Sequence, residues 1–240
     1  MQENNNFLKG LRDGTPICIG YLAVSFAFGI FAVSSGLSPL EAVLISAFNV
    51  TSAGQLAAVP IIASGGGFFE LGLTQLIINL RYSLMSVSLS QKMGESVRLR
   101  DRFLIAFVNT DEVFAVASSS YFPVGRRYLY GLILTPPIAW TLGTLIGALA
   151  GNILPESLVS ALGIAIYAMF LAIVVPAMRG DARISLLVLL SVALSVAFYF
   201  IPPLSSIPSG FVIIISAVAA SALFAVVAPL PDESDGEACE

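Results

Sequence analysis

Residues 16–36 read PICIGYLAVSFAFGIFAVSSG, a run that contains no charged side chain. About 20 apolar residues in a helix cross the hydrocarbon core of a bilayer, so this run predicts a membrane span. Outward from it along the chain, further charge-free stretches occupy residues 42–69, 128–155, 157–178 and 184–231. Helices and closed barrels are the structures that satisfy all their backbone hydrogen bonds in lipid. Apolar runs of helix length therefore predict an all-α polytopic membrane protein.

The composition of the 240-residue chain agrees with this prediction and excludes several classes of protein. Hydrophobic residues make up 57% and charged residues 11%, against about 45–50% and about 25% in soluble domains. The mean hydropathy of +0.93 excludes a soluble domain, a disordered chain and a nucleic-acid-binding protein. The sequence has no histidine, so Ser–His and Cys–His nucleophile pairs and histidine-ligated metal sites are excluded. It has no P-loop either, and we therefore expect no enzyme activity, no cofactor and no metal.

Charged residues and Gly/Pro clusters divide the chain into about eight membrane-embedded helices. Their predicted bounds are 15–36, 39–63, 69–91, 103–122, 130–151, 155–178, 184–202 and 207–229. We predict a single membrane domain over residues 1–229. Residues 230–240 are acidic and polar, a composition typical of a disordered tail.

A weak internal similarity suggests a repeat. The pattern Gly-Leu-x4-Pro occurs at residues 10–16 and again at 131–137. This spacing is compatible with three-helix repeats over 7–92 and 128–203, joined by a linking helix, an arrangement known among transporters. Chance spacing of prolines in an apolar sequence is the alternative.

The basic residues fit poorly with eight full crossings. With the N-terminus in the cytoplasm, eight crossings put six basic residues inside: Lys9, Arg12, Arg126, Arg127, Arg179 and Arg183. They put the densest group of four outside: Lys92, Arg98, Arg100 and Arg102. A re-entrant second segment and a non-spanning fourth segment bring all ten inside, in keeping with the positive-inside rule. The sequence leaves the number of crossings and the orientation open.

The second segment has polar side chains in its middle, where residues 46–55 read SAFNVTSAGQ. The candidates are Asn49, Thr51, Ser52 and Gln55. Such a stretch can unwind and expose backbone N–H groups at the start of a half-helix, which then attract an anionic group such as a carboxylate. The alternative is that these side chains form hydrogen bonds that hold helices together.

Arg81 lies near the middle of the third segment, flanked by Asn79 and Tyr82. An arginine at the bilayer centre costs about 2.5–3.5 kcal/mol on insertion scales, so it needs a partner or a wet cavity. We expect all three residues to line such a cavity.

The fourth segment carries four polar residues at a similar depth: Asn109, Thr110, Asp111 and Glu112. We predict that Arg81 pairs with Asp111 or Glu112. Neighbouring residues on a helix point about 100° apart, so the other acid is expected to be free to titrate or to meet a substrate. An ion pair that only locks helices together is the alternative.

Small residues repeat every fourth position in the fifth segment, at Gly143, Gly147 and Gly151. This pattern lets another helix approach closely. The sequence does not decide whether that helix belongs to the same chain or to another subunit.

Several motifs taken together resemble those of one family. They lie at Gly10–Asp13 leading to Pro16, Ser25–Gly29, Gly36–Glu41, Asn79–Tyr82 and Thr110–Ala115. In order and spacing the chain resembles, from about residue 9 to 151, the AzlC family (LIV-E or YgaZ type), the large subunits of branched-chain amino acid exporters. It departs from the family pattern at residues 51–55, where Ala-Gly-x-x-Gln is more common than TSAGQ. It also departs at Tyr82, where a histidine is common, and at Asn79, where an acid is common.

The resemblance implies a permease that exports leucine, isoleucine, valine and analogues across a bacterial cell membrane. It also implies a small membrane partner of the AzlD type and a proton gradient as the energy source. Two alternatives stay open at this point. One is a cation channel or transporter that uses Asp111 and Glu112, and the other is a non-transporting membrane scaffold.

Overall fold

The computed structural model describes residues 5–151, 155, 157, 171, 174–176, 178–180, 182–204 and 206–227. The helices with described bounds are α1 (Phe7–Ser34), α2 (Pro39–Phe48), α3 (Ser52–Ala63), α4 (Phe68–Lys92), α5 (Leu99–Phe107), α6 (Asp111–Ser118), α7 (Arg126–Ala150), α8 (Ala182–Phe200) and α9 (Ser209–Val227). The described residues form helices and the loops between them, with one isolated β-bridge and no strand, which confirms the predicted all-α class. The predicted helix 155–178 lies mostly outside the described residues, and the predicted tail 230–240 lies entirely outside them.

Four of the described helices are long and apolar enough to cross a membrane: α1, α7, α8 and α9. α4 has 25 residues, which corresponds to about 37 Å at a rise of about 1.5 Å per residue. It is long enough to cross but carries Arg81 in its middle. The polytopic architecture is thus confirmed.

α1 and α7 form the centre of the molecule and run parallel. A Cβ at Gly10 would overlap the Tyr128 carbonyl oxygen near the start of both helices, and a Cβ at Gly147 would overlap the Phe26 carbonyl oxygen towards their ends. The two backbones are therefore in direct contact along most of their length. The second predicted repeat includes residues that are not described, so the repeat remains a prediction.

The predicted glycine pattern of α7 faces α1. A Cβ at Gly143 would collide with Ser25, one at Gly147 with Phe26, and one at Gly151 would touch Ile30. The close helix neighbour therefore lies within this chain, which answers the question that the sequence left open.

The starts of α1 and α7 and the end of α4 lie together. The Gly94 N–H donates to the Val124 carbonyl and the Val124 N–H donates to the Lys92 carbonyl, both at 3.0 Å. The Arg127 N–H donates to Asn5 Oδ1 at 2.7 Å. α4 is thus antiparallel to α1 and α7. We call this side of the molecule the basic end, after the basic residues at these helix termini: Lys9, Arg12, Lys92, Arg126 and Arg127.

The second predicted segment is a broken, re-entrant pair. α2 begins soon after α1 ends, where Ser38 and Glu41 form a capping box, and α3 ends just before α4 begins. Both of those points lie opposite the basic end, so the pair enters and leaves on one side. Residues 49–51 separate α2 from α3, which confirms the predicted unwinding.

The fourth predicted segment is broken as well, and this break was not predicted. α5 begins soon after the end of α4, and after α6 the chain is back at the basic end by Val124, with residues 108–110 between the two half-helices. The segment is therefore re-entrant from the basic end. Of the two arrangements that the charges allowed, the structure has the one that brings Lys92 and Arg98–Arg102 to the side of Lys9 and Arg12.

The C-terminal helices follow the same orientation. The Gly210 N–H at the start of α9 donates to Glu70 Oε1 at 3.0 Å. Glu70 lies in the first turn of α4, opposite the basic end. α8 packs against α9 and leads into it through a short loop, so α8 begins at the basic end with Arg183.

Candidate functional site

The two helix breaks meet in the interior. Residues 49–51 and 109–110 line one cavity of about 220 Å³, together with Asn79 and Tyr82 of α4. α3 and α6 each begin at a break, so the N-termini of two half-helices point to the same region. A helix N-terminus carries N–H groups without intrahelical partners and a partial positive charge.

The two N-termini differ in how they are capped. The first turn of α6 contains Asp111 and Glu112, and its cap Thr110 accepts from the Val113 N–H. The first turn of α3 contains no acid, and its cap Thr51 makes no side-chain capping bond. α6 thus presents negative charge to the interior, while α3 presents N–H groups.

Arg81 forms the predicted ion pair. Its Nη2 lies 2.9 Å from Asp111 Oδ2, and the two side chains are 46% and 37% exposed. The guanidinium also lies over the Tyr82 ring, 4.9 Å from its centroid. The ion pair thus links the middle of α4 to the start of α6.

Glu112 faces a different partner. The Tyr21 hydroxyl lies 2.5 Å from Glu112 Oε2, to which it donates, and 2.6 Å from Thr110 Oγ1. The Tyr21 ring stacks edge-on against Trp140, with centroids 4.9 Å apart. The second acid is thus bound to a phenol of α1. Sequence reasoning missed Tyr21, although a lone phenol among apolar residues of the first span is a readable signal.

These groups surround a second cavity of about 240 Å³. It is lined by Pro16, Ile17, Gly20, Tyr21, Val24, Val50, Ser52, Tyr82, Thr110, Asp111, Glu112 and Trp140. We call it the central cavity. Its volume is below the roughly 300–1,000 Å³ of pockets for drug-sized ligands and suits a smaller molecule. Arg81 was expected to line the cavity but is not among its lining residues, and it borders the cavity only through its partner Asp111.

Gln55 does not line the central cavity. It is fully buried, donates from Nε2 to Ser46 Oγ at 2.8 Å and accepts from Trp140 Nε1 at 2.9 Å. Ser46 in turn shares a hydrogen bond of 2.7 Å with Thr144. For this predicted site residue, the alternative of hydrogen bonds between helices describes what the structure contains.

Asn49 holds the first break against Gln75 of α4, while Thr51 binds within the break and Asn79 binds within α4. Thr51 Oγ1 donates to Asn49 Oδ1 at 2.8 Å, and the amides of Asn49 and Asn79 both donate to Gln75 Oε1 at 3.2 Å. Their position in the cavity at the breaks agrees with the predicted placement.

Two amide oxygens in that cavity are buried without a partner in the described structure, Asn79 Oδ1 and Asn109 Oδ1. Asn109 is otherwise fixed by a bond of 3.2 Å from its Nδ2 to Ser86 Oγ. Buried acceptors of this kind usually have a partner, so these two oxygens are available to a donor that enters the cavity.

The family model for the AzlC protein matches residues 16–154, more than half of the chain and the part that forms both broken helices. The chain belongs to the AzlC family. Its relatives include the inner membrane protein YgaZ of Escherichia coli, which is 32% identical over 69% of this chain and 71% of the relative. An uncharacterized membrane protein of Archaeoglobus fulgidus is 35% identical over 75% of this chain and 80% of the relative. No solved structure matches the chain.

Family membership confirms the resemblance seen in the sequence. It also makes this chain a multi-pass protein of the cell membrane, in a family of membrane transport proteins. The substrate and the energy source are inferred below from the residues of the site.

Proposed function

We propose that this chain exports branched-chain amino acids, namely leucine, isoleucine, valine and their analogues, as the permease subunit of a secondary transporter. One observation carries the proposal. The uncapped N-terminus of α3 and the acid-bearing N-terminus of α6 border the same central cavity. A small zwitterion has the two charges that this pair of helix ends complements.

The substrate carboxylate binds at the α3 side. Ser52 is the first residue of α3 and lines the central cavity. Its hydroxyl and the N–H groups of the first turn are suited to an anion. Arg81 acts through Asp111, because their ion pair holds that acid at the wall of the central cavity.

The substrate ammonium binds at the α6 side, where Glu112 and Asp111 supply carboxylate oxygens. One of these two acids also carries the coupled proton. Intramembrane acids in transporters commonly have this role. The hydrogen bond from Tyr21 holds Glu112 at the cavity wall.

The side chain of the substrate packs against apolar walls. These walls are formed by Ile17, Val24 and Val50, whose side chains form no hydrogen bonds. One methylene changes binding by only about 1–3 kcal/mol in such a pocket, so several aliphatic amino acids should be accepted. A polar side chain would lose its hydrogen bonds and be rejected.

Two further cavities adjoin the central cavity. A cavity of about 880 Å³ at the basic end, lined by Lys9, Arg12 and Asp13, is separated from the central cavity by Pro16, which lines both. The cavity at the breaks shares Val50, Tyr82 and Thr110 with the central cavity. Tyr82 thus stands between two compartments, at a place suited to a gate.

A small membrane subunit of the AzlD type completes the exporter. α8 has no buried residue among those described, so it leaves a long apolar surface for lipid or for a subunit. Efflux that requires co-expression of the small subunit would support this part of the proposal.

The test follows efflux from cells loaded with an isoleucine-containing dipeptide, with the small subunit present. Arg81→Gln should abolish efflux, while Arg127→Gln, an exposed arginine at the basic end, should leave it near normal. The amount of protein in the membrane is measured for each variant.

Three other outcomes would reject the proposal. Normal efflux from the Arg81→Gln variant would show that the substrate does not bind at the proposed site. Cation flux that needs Asp111 and Glu112 but no amino acid would indicate a cation transporter. Variants that change only the assembly of the protein would indicate a scaffold.

A further inference from the structure

A separate cleft of about 400 Å³ lies between α4 and α5. Its walls are mainly apolar and include Val87, Leu89, Phe103 and Ile105. Val87 and Phe103 are 62% and 73% exposed, so the cleft opens on the outer surface of the helices. In a membrane such a surface faces acyl chains.

Arg102 forms the polar end of this cleft. Its guanidinium donates to Ser90 Oγ, which lies on the facing wall. In the described part of the chain, no carboxylate lies within ion-pair distance of Arg102. The adjacent Asp101 is instead held by the Tyr130 hydroxyl at 2.7 Å and by the Arg98 N–H at 2.9 Å. Arg102 therefore retains a positive charge that is free to bind an anion.

The position of Arg102 places that charge at the level of lipid headgroups. It lies in the first turns of α5, at the basic end, near Lys92, Arg98 and Arg100. Basic pockets between membrane helices on the cytoplasmic side bind anionic headgroups. A guanidinium matches the geometry of a phosphate with two parallel hydrogen bonds.

From the charge and shape together, we propose that this cleft binds an anionic phospholipid. The phosphate sits on Arg102 and Ser90, and one acyl chain fills the apolar cleft. Ala106 and Asn109 line both this cleft and the cavity at the helix breaks. The lipid would thus brace α5 next to its break. The inference does not depend on which substrate the protein carries.

Native mass spectrometry of the full chain in detergent tests the proposal. Phosphatidylglycerol and phosphatidylcholine are added in equal amounts, and the retained lipid is identified. We expect phosphatidylglycerol to be retained preferentially. Arg102→Gln should reduce this retention about tenfold, as expected for a lost charge-assisted pair. Arg100→Gln removes the same charge two residues away, outside the cleft, and should change little. Arg102→Lys should retain part of the preference.

A second measurement works even if Arg102→Gln fails to fold. Val87→Trp places an indole in the exposed cleft, while the one native tryptophan, Trp140, is buried in the core. Phosphatidylglycerol with brominated acyl chains should quench the new indole more strongly than brominated phosphatidylcholine does.

Equal retention or equal quenching by the two lipids would overturn the proposal, and so would equal losses in Arg102→Gln and Arg100→Gln. Protection of the Val87→Trp indole by the small membrane subunit, without bound lipid, would assign the cleft to a protein partner instead.

Discussion

The two broken helices of this protein share a backbone plan and differ in charge. α2–α3 enters from the side opposite the basic end, α5–α6 enters from the basic end, and both breaks span three residues. At the first break α3 begins without acid or side-chain cap, whereas at the second α6 begins with Asp111 and Glu112. The difference teaches how one structural device can serve both ends of a zwitterion.

The pairs also differ in how they are held. α3 buries six side chains or glycines along its 12 residues, among them Gln55, while α6 buries only Val113 and Ala117. Polar contacts also hold α5–α6: phenols from α1 and α7 bind Glu112 and Asp101. The side chains of α4 bind Arg102, Asn109 and Asp111. Both pairs thus reach the core, where Ile105, Val113 and Ala117 of the second pair are buried, but the first pair buries a larger share of its residues.

The largest expected effect comes from removing the charge difference between the breaks. Ser52→Asp puts a carboxylate at the start of α3, where like-charge contact with a substrate carboxylate costs several kcal/mol. Isoleucine affinity should fall by roughly a hundredfold or more. Ser64→Asp, at the far end of the same helix, is the matched control and should transport normally. Equal efflux from both variants would show that the α3 end does not read the carboxylate.

The next effect concerns how the first pair is held. Gln55→Leu keeps the approximate volume but leaves Trp140 Nε1 without its buried acceptor. Stability should fall by about 1–3 kcal/mol, the usual cost of an unsatisfied buried polar group. Tyr130→Phe on the second pair should cost less, because that hydroxyl lies near the headgroup level. Thermal unfolding of both variants in the same detergent measures the two losses of stability. A larger loss in Tyr130→Phe would contradict the view that the first pair is held more firmly than the second.

Local opening should differ between the two pairs in the unmodified protein. Few buried side chains and few tertiary contacts lower the free energy of local opening. Amide hydrogens of α6 should therefore exchange faster than those of α3, and isoleucine should slow the exchange of α6. Hydrogen exchange with mass spectrometry measures both, and faster exchange in α3 would contradict the comparison.

The smallest expected effect is a change in the pH dependence of stability, caused by Asp101 in the first turn of α5. The hydrogen bond from Tyr130 holds the pKa of Asp101 below its usual range, with a smaller contribution from the Arg98 N–H. A carboxyl whose pKa is lower in the folded state stabilises that state above its unfolded pKa of about 3.9 and loses this contribution on acidification. Tyr130→Phe should thus flatten the fall in unfolding temperature between about pH 5 and pH 3. An unchanged acid profile would show that this contact does not set the pKa.

Several features of the fold and the site could be predicted from the sequence, because each depends on a short stretch of residues or on depth along a helix. Apolar length gave the spans, the polar run around Asn49 gave the first break, and matched depth gave the pair of Arg81 with Asp111. The second break also had a local signal that was not used, because Thr110 followed by two acids is a typical helix start.

What sequence reasoning could not give depends on lateral neighbours. Gln55 looks like a cavity residue along the chain, but its amide is occupied by Ser46 and Trp140 from other helices. Tyr21 belongs to the site only because α1 packs beside α6. Periodicity defines which residues share a face, and the packing of helices decides what that face meets.

The central claim is that the two breaks bind the two charged groups of one substrate, the carboxylate at the start of α3 and the ammonium at the start of α6. Its most direct measurement follows the uptake of labelled isoleucine into inside-out vesicles, which corresponds to export in the cell. The competitors are unlabelled isoleucine, 2-methylbutylamine, which lacks the carboxylate, and 3-methylpentanoate, which lacks the ammonium. We predict that isoleucine competes and that neither single-charge analogue does at the same concentration. Competition by either analogue as strong as that by isoleucine would contradict the claim.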